Sequence, residues 1–128
     1  MVRLTRDDVR RFALAAGDRN PVHHDEGFAA ATRFGRIIAS GTHTAALLMG
    51  VTASHFSREG AMLGLEFWTR FRRPVFADDT VRIEWLVVDV QASEALGGAV
   101  VDLRGRLRRS DGVTAVGARG RVLLVPSL

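Results

Sequence analysis

The chain has 128 residues, 47% of them hydrophobic, which is enough for one domain (1–128) with its own core and argues against disorder. It contains no cysteine, which excludes disulfides, thiolate metal sites and a cysteine nucleophile. The formal charge is only +4 although the sequence pI is about 11.3, because all 18 basic residues are arginine and no lysine or tyrosine loses charge at high pH.

These arginines are scattered among acids instead of forming a basic stripe, so a nucleic-acid partner is not expected. No apolar run approaches the ~18 residues of a membrane span, and "MVRLTRDDVRR" lacks a leader's apolar stretch, so no membrane partner is expected. A soluble, cytoplasmic protein is expected.

In "LTRDDVRRFALAAGD", Thr5 caps a helix whose positive first turn holds Asp7 and Asp8. Val9, Phe12, Ala13 and Ala16 form its apolar stripe, and Gly17 ends it. Asn20 precedes Pro21 and is biased toward extended geometry, which breaks the chain there. A short helix capped by Asp25 follows, finishing near Gly35. In "RIIASGTHTAALLMGVTASHF", Ser40 or Thr42 caps a helix that is apolar on nearly every side from Ala45 to Val51, the pattern of a helix that is enclosed.

The period then changes to two. Phe67, Thr69 and Phe71 alternate with Trp68, Arg70 and Arg72, and Val81, Ile83, Trp85 and Val87 alternate with Arg82, Glu84 and Leu86. Val101, Leu103, Gly105 and Leu107 face away from Asp102, Arg104, Arg106 and Arg108. Asp78 and Asp79 mark a turn, Ser110-Asp111-Gly112 reads as a hairpin turn, and a last strand spans about 115–125. Helices first and four antiparallel strands after define an α+β fold, a sheet wrapped around the apolar helix with one wet, arginine-bearing face.

The chemistry concentrates in "GDRNPVHHD", residues 17–25. Asp18 and His23 are five residues apart, a spacing that does not pair them on a continuous helix. The Asn20-Pro21 break folds the chain so that a carboxylate and an imidazole converge on one water, able to take a proton from it and return one. Asn20 braces the turn. On residue types alone a structural reading competes: Asp18 satisfying turn amides, His23 packing on the sheet, His24 at the surface and Asp25 capping a helix. Metal binding by His23, His24 and Asp25 is disfavoured, since adjacent histidines rarely reach one ion.

Gly41 opens the apolar helix, where the first amides have no internal partner and carry the positive dipole end. A glycine there lets a ligand carbonyl approach closely, or simply permits a tight turn.

Together these stretches resemble the MaoC-like dehydratase family, R-specific enoyl-CoA hydratases of hot-dog fold. The family pattern is a helix ending Gly-Asp-x-Asn-Pro-x-His, an alanine-rich segment with Phe-Gly, and Ile-Ala-x-Gly opening the central helix. This chain reads "AGDRNPVHHDEGFAAATRFGRIIASG" in the same order and spacing, and "FRRPVFADDTV" is similar to a later strand and turn of the family. The resemblance covers roughly residues 5–126.

It implies that Asp18 and His23 activate water for addition to a trans-2-enoyl-CoA, giving an R-3-hydroxyacyl-CoA, or the reverse dehydration. It further implies that the Gly41 amide binds the thioester carbonyl and that Asn20 supports or lines the site. No metal or redox cofactor is implied, coenzyme A arriving as part of the substrate, and a homodimer or larger homo-oligomer is expected. Ser40, His43 and Met49 are further candidates for lining the site. Ser40 stands where many relatives have histidine or proline, and Met49 where some have serine. Ala77 replaces a common glycine, and the family's N-terminal strand is nearly missing. An acyl-CoA thioesterase of the same fold and a non-catalytic acyl-CoA-binding subunit are the alternatives.

Overall fold

The computed structural model describes all 128 residues. A two-residue strand, β1 (Val2–Arg3), leads into α1 (Arg6–Ala15). A 3-10 turn (Pro21–His23), α2 (Glu26–Ala30) and α3 (Gly41–Phe56) follow. Then come β2 (Ala61–Phe71), β3 (Thr80–Ser93), β4 (Gly98–Arg108) and β5 (Thr114–Val125). All five strands form one antiparallel sheet in the order β1-β3-β4-β5-β2. The family's N-terminal strand, which reads from the sequence as nearly missing, is only these two residues long and pairs Val2 with Val81.

The start of α1 follows its sequence closely. The Thr5 hydroxyl accepts from the Asp8 amide at 3.1 Å while the Asp8 carboxylate accepts from the Thr5 amide at 3.2 Å, a reciprocal cap. That bonding to Thr5 holds the Asp8 carboxyl below the usual carboxylate range. Val9 and Ala13 are buried, but Ala16 is exposed, correcting the predicted stripe: Ala16 is already the cap residue, where the helix leaves its packing surface.

The concave face of the sheet supplies Val81, Leu107, Val116 and Ala118 to a core shared with Leu4, Val9, Val22 and Leu48. Each aliphatic chain of this kind stabilises the fold by roughly 1.5–3 kcal/mol when fully buried. Trp85 ties sheet to helix, its indole N–H donating to the Leu48 carbonyl at 3.0 Å. Gly105 lies opposite Trp85 on β4, and the indole fills the space a side chain there would need. The convex face carries Arg104, Arg106, Arg119 and Arg121, all exposed, as the alternation predicted.

One expectation fails in an informative way. The helix that reads as apolar all round is covered on one side only: its buried residues are His43, Thr44, Leu48 and Thr52, while Met49 and Val51 remain 42% and 40% exposed. Two threonines reach the interior because their hydroxyls donate back along the helix, Thr44 to the Gly41 carbonyl and Thr52 to the Met49 carbonyl. Leu63 and Leu65 on β2 are also exposed, and β2 ends the sheet with one edge unpaired.

Candidate functional site

The turn after α1 is built to stop a helix and to aim the next side chain. Gly17 adopts φ 77°, the left-handed region that glycine enters without steric cost. Its amide donates to the Leu14 carbonyl and that of Asp18 to the Ala13 carbonyl at 2.8 Å, the paired bonds of a Schellman motif. Asp18 is therefore fixed by the helix end. One carboxylate oxygen, Oδ1, accepts from the Asn20 amide at 3.0 Å. Asn20 Oδ1 in turn accepts from Val22 N–H at 3.3 Å, capping the 3-10 turn whose first residue is Pro21.

That single turn carries His23 inward until it is only 6% exposed. Its Nδ1 lies 2.7 Å from the Ile38 carbonyl, and a carbonyl cannot donate, so Nδ1 holds the proton. The other nitrogen, Nε2, faces Asp18 Oδ2 at 3.3 Å. The Asp18 side chain is 33% exposed, so the pair opens to solvent on the carboxylate side. A buried ring with a fixed tautomer, facing a carboxylate already half engaged, can accept a proton at Nε2 and hold the resulting cation.

Ile38 belongs to a short extended run tied to the segment before β3. Ile38 bridges Phe76, Ala39 N–H donates to the Val75 carbonyl and Ala77 N–H to the Ile37 carbonyl. The run ends at Ser40, whose hydroxyl caps α3 by accepting from His43 N–H at 3.3 Å and which is itself buried. Of the two proposed caps it is Ser40, not Thr42, that serves. Gly41 is the first residue of α3, and no hydrogen bond within the chain engages its amide. Its φ is unexceptional; a Cβ added there would lie 3.1 Å from Cζ of the Phe71 ring, tighter than ordinary contact.

Asp18, His23, Asn20, Ser40 and Gly41 are thus linked through one continuous stretch of loops and caps. His43 stands apart from the pair: its ring stacks on Phe12 with centroids 4.5 Å apart, and its Nδ1 is buried without a partner. Burial lowers its pKa, opposed by the nearby Asp8 charge. Met49 lies eight residues along α3 from Gly41, about 12 Å at helical rise, with its side chain on the exposed side.

Three participants were not read from the sequence. His24 was expected at the surface, but it is half-buried and its Nε2 donates to the Asp18 carbonyl at 2.9 Å, clamping the turn. Its place directly after the proline break was the available signal. The Ile38 carbonyl leaves no side-chain signature. Phe71 looked like one more member of an alternating strand. Asp25 caps α2 through the Phe28 amide at 2.9 Å, and no three His, Asp or Glu side chains gather as a metal site.

This is a hot-dog fold in which Asp18 and His23 lie side by side, the imidazole tied to the Ile38 carbonyl in the segment that leads into α3; comparison with known proteins agrees with the fold. The family model described as "MaoC like domain" matches residues 1–103, and the chain belongs to that family. A 3-hydroxybutyryl-CoA dehydratase of Methylorubrum extorquens is 38% identical over 87 residues, 68% of this chain and 55% of that relative. An (R)-specific enoyl-CoA hydratase of Aeromonas caviae is 37% identical over 78 residues, 60% of this chain and 57% of the relative. The matches therefore span little more than half the length of these two proteins. Among solved structures, an (R)-hydratase from A. caviae involved in PHA biosynthesis superposes with a TM-score of 0.84 at 31% identity, covering 96% of this chain and 89% of that one.

Proposed function

We propose that the chain is a hydro-lyase that adds water to trans-2-enoyl-CoA thioesters, giving R-3-hydroxyacyl-CoA, or runs the reverse dehydration. The observation that carries this reading is the Asp18–His23 pair, Nε2 to Oδ2 at 3.3 Å with the Nδ1 proton committed to Ile38. The names of the relatives, hydratases and dehydratases of hydroxyacyl thioesters, support it.

In the proposed step a water donates hydrogen bonds to both Asp18 Oδ2 and His23 Nε2, which leaves its oxygen lone pair free for the substrate. The oxygen bonds to C3 as the C2–C3 π pair moves into the thioester, whose oxygen gains charge. His23 Nε2 takes the proton that the water loses, and Asp18 stabilises the imidazolium. The same proton then passes from Nε2 to C2, so hydroxyl and hydrogen arrive from one face and the ring returns to neutral. The unengaged Gly41 amide, at the positive end of α3, stabilises the enolate oxygen. The addition is redox-neutral, so the reading assigns no cofactor; coenzyme A is part of the substrate.

The exposed apolar side of α3, with Met49 and Val51, and the open β2 edge with Leu63 and Leu65 support assembly as at least a homodimer. The direct test is hydration of crotonyl-CoA, followed as loss of the conjugated thioester absorbance. A thiol-trapping dye run in parallel detects thioester cleavage, and free thiol without hydration would replace this reading with the thioesterase one.

A further inference from the structure

His23 lies between two acceptors and, when neutral, has one ring proton to give. The Ile38 carbonyl is 2.7 Å from Nδ1, and the Asp18 carboxylate is 3.3 Å from Nε2. The shorter contact keeps the proton on Nδ1. A retreat of that carbonyl by about 1 Å would put it outside hydrogen-bond range. The proton would then pass to Nε2, drawn by the Asp18 charge, and the lone pair that faces the carboxylate would be gone. Whatever holds the Ile38 carbonyl therefore governs what His23 can accept.

The backbone alone holds it thinly. Ile38 N–H donates to the Val22 carbonyl at 3.4 Å, a long bond. The bridge to Phe76 adds two bonds, Ala39 N–H to the Val75 carbonyl at 2.8 Å and Ala77 N–H to the Ile37 carbonyl at 3.0 Å. Neither segment continues as a strand, so no longer ladder stiffens the bridge.

Side chains supply the rest. The Arg36 guanidinium carbon lies 3.8 Å from the centroid of the Phe76 ring, and Arg36 enters none of the ion pairs of the chain. The ring face is its partner, a contact that the flat and weakly hydrated guanidinium suits. Arg109, just past β4, meets the same ring at 5.4 Å. It is anchored in turn: Nε and Nη2 donate to the two Asp111 carboxylate oxygens at 3.2 and 2.6 Å, and Nη1 donates to the Pro74 carbonyl at 3.1 Å. Arg36 thus ties the Ile38 run to Phe76 a second time, two residues before Ile38. Arg109 ties Phe76 and Pro74 to the end of the sheet.

We propose that Arg36, Phe76 and Arg109 form a clamp that positions the Ile38 carbonyl and so keeps the His23 ring proton on Nδ1. All three act through His23 and are positioning residues. The effect on rate rests on the hydratase reading of Asp18 and His23; the effect on the ring proton does not.

Two-bond proton–nitrogen correlation on the nitrogen-15-labelled chain, at about pH 8, reads which ring nitrogen is protonated; the His23 signals are those missing in His23→Asn. The wild type should show a protonated Nδ1 and a bare Nε2. Arg36→Gln, Arg109→Gln and Phe76→Leu should each move the proton to Nε2 in more than half of the molecules. The kcat for crotonyl-CoA hydration should fall with the Nδ1-protonated fraction, at least twofold, while KM stays within twofold. Arg36→Lys keeps a cation over the ring and should restore both readings toward the wild type. Arg119→Gln removes an arginine 5.5 Å from the Trp68 ring on the convex face and should change neither. Arg36 is exposed, so its variants carry the test where the other two lose stability. A proton that stays on Nδ1 in Arg36→Gln, or a kcat that falls with the proton unmoved, overturns the clamp. A wild-type ring protonated at Nε2, or an equal shift in Arg119→Gln, does the same. A proton that moves in a chain without hydratase activity keeps the clamp and removes the catalytic reading; hydration with a proton indifferent to Arg36 and Phe76 does the reverse.

Discussion

His23 donates through Nδ1 to the Ile38 carbonyl at 2.7 Å, and this one contact decides what the other ring nitrogen can do. With Nδ1 committed as a donor, a neutral ring presents a lone pair at Nε2, toward Asp18. In the proposed reaction, structure and chemistry therefore separate onto the two nitrogens of one side chain. His23→Asn keeps an amide N–H near the Nδ1 position and has nothing at Nε2. It should retain its melting temperature within a few degrees while crotonyl-CoA hydration falls about 10²–10⁴-fold, the usual worth of a positioned acid-base group. His23→Gln reverses the arrangement, losing the tie to Ile38, and should lose stability as well as rate.

Asn20 tests whether the turn or the carboxylate matters at that position. Asp18 is held by the backbone amide of Asn20, which every replacement except proline retains, whereas the Asn20 side chain only caps the 3-10 turn at Val22. Asn20→Ala should therefore cost stability of about 0.5–2 kcal/mol, the usual range for a lost cap. Its hydration rate should fall far less than that of Asp18→Asn, for which a loss of at least a hundredfold is expected. Denaturant titration and initial rates, measured on both variants, separate the two effects.

What the sequence revealed and what it hid follow from the range of the interactions. The Schellman turn at Gly17, the proline-started 3-10 turn and the Ser40 cap are local, so residue types within five positions announce them. The sheet alternation is local too and marks β2 to β5, although β2 begins at Ala61, six residues before the alternation read from Phe67, and β3 runs on to Ser93. The Ile38 carbonyl is fifteen residues from His23 and donates no residue-type signal. Phe71 meets Gly41 only because β2 passes the mouth of α3. The exposed side of α3 misled the reading for a different reason: apolar residues there look the same whether the chain itself or another molecule covers them.

Gly41 and Phe71 form a steric pair that a double-mutant cycle resolves. A methyl group at position 41 would sit 3.1 Å from Phe71 Cζ, tighter than comfortable contact, yet the ring is exposed and able to give. Gly41→Ala should lower the hydration rate by displacing the ring or the first turn of α3. Phe71→Ala in the same chain should recover part of that loss, giving a coupling of about 0.5–3 kcal/mol between contacting residues. Additive effects would show that the alanine acts on the amide itself and not through the ring.

Assembly is checked without mutation. Sedimentation velocity at micromolar concentration should give a species of at least twice the 14.0 kDa chain mass. A monomer that stays active would separate the exposed Met49 and Val51 side of α3 from the chemistry at Asp18.

His43 gives the fold a measurable pH dependence. Burial disfavours its charged form, and its place in the first turn of α3 adds the positive end of the helix, while Asp8 pulls the other way and loses. The folded pKa therefore lies below the ordinary 6.5. As pH falls through 6.5 the unfolded chain binds a proton before the folded one does, so the free energy of unfolding decreases across that window. It levels off once the pH passes below the folded pKa and both states are protonated. Above 6.5 the residue is neutral in both states and contributes no slope. His43→Leu keeps an apolar contact for Phe12 and removes the titration. Urea titrations from pH 7.5 to 5 should show the wild type losing stability faster than this variant, with the difference confined below 6.5; parallel curves would mean that the buried ring takes up its proton as easily as a free one.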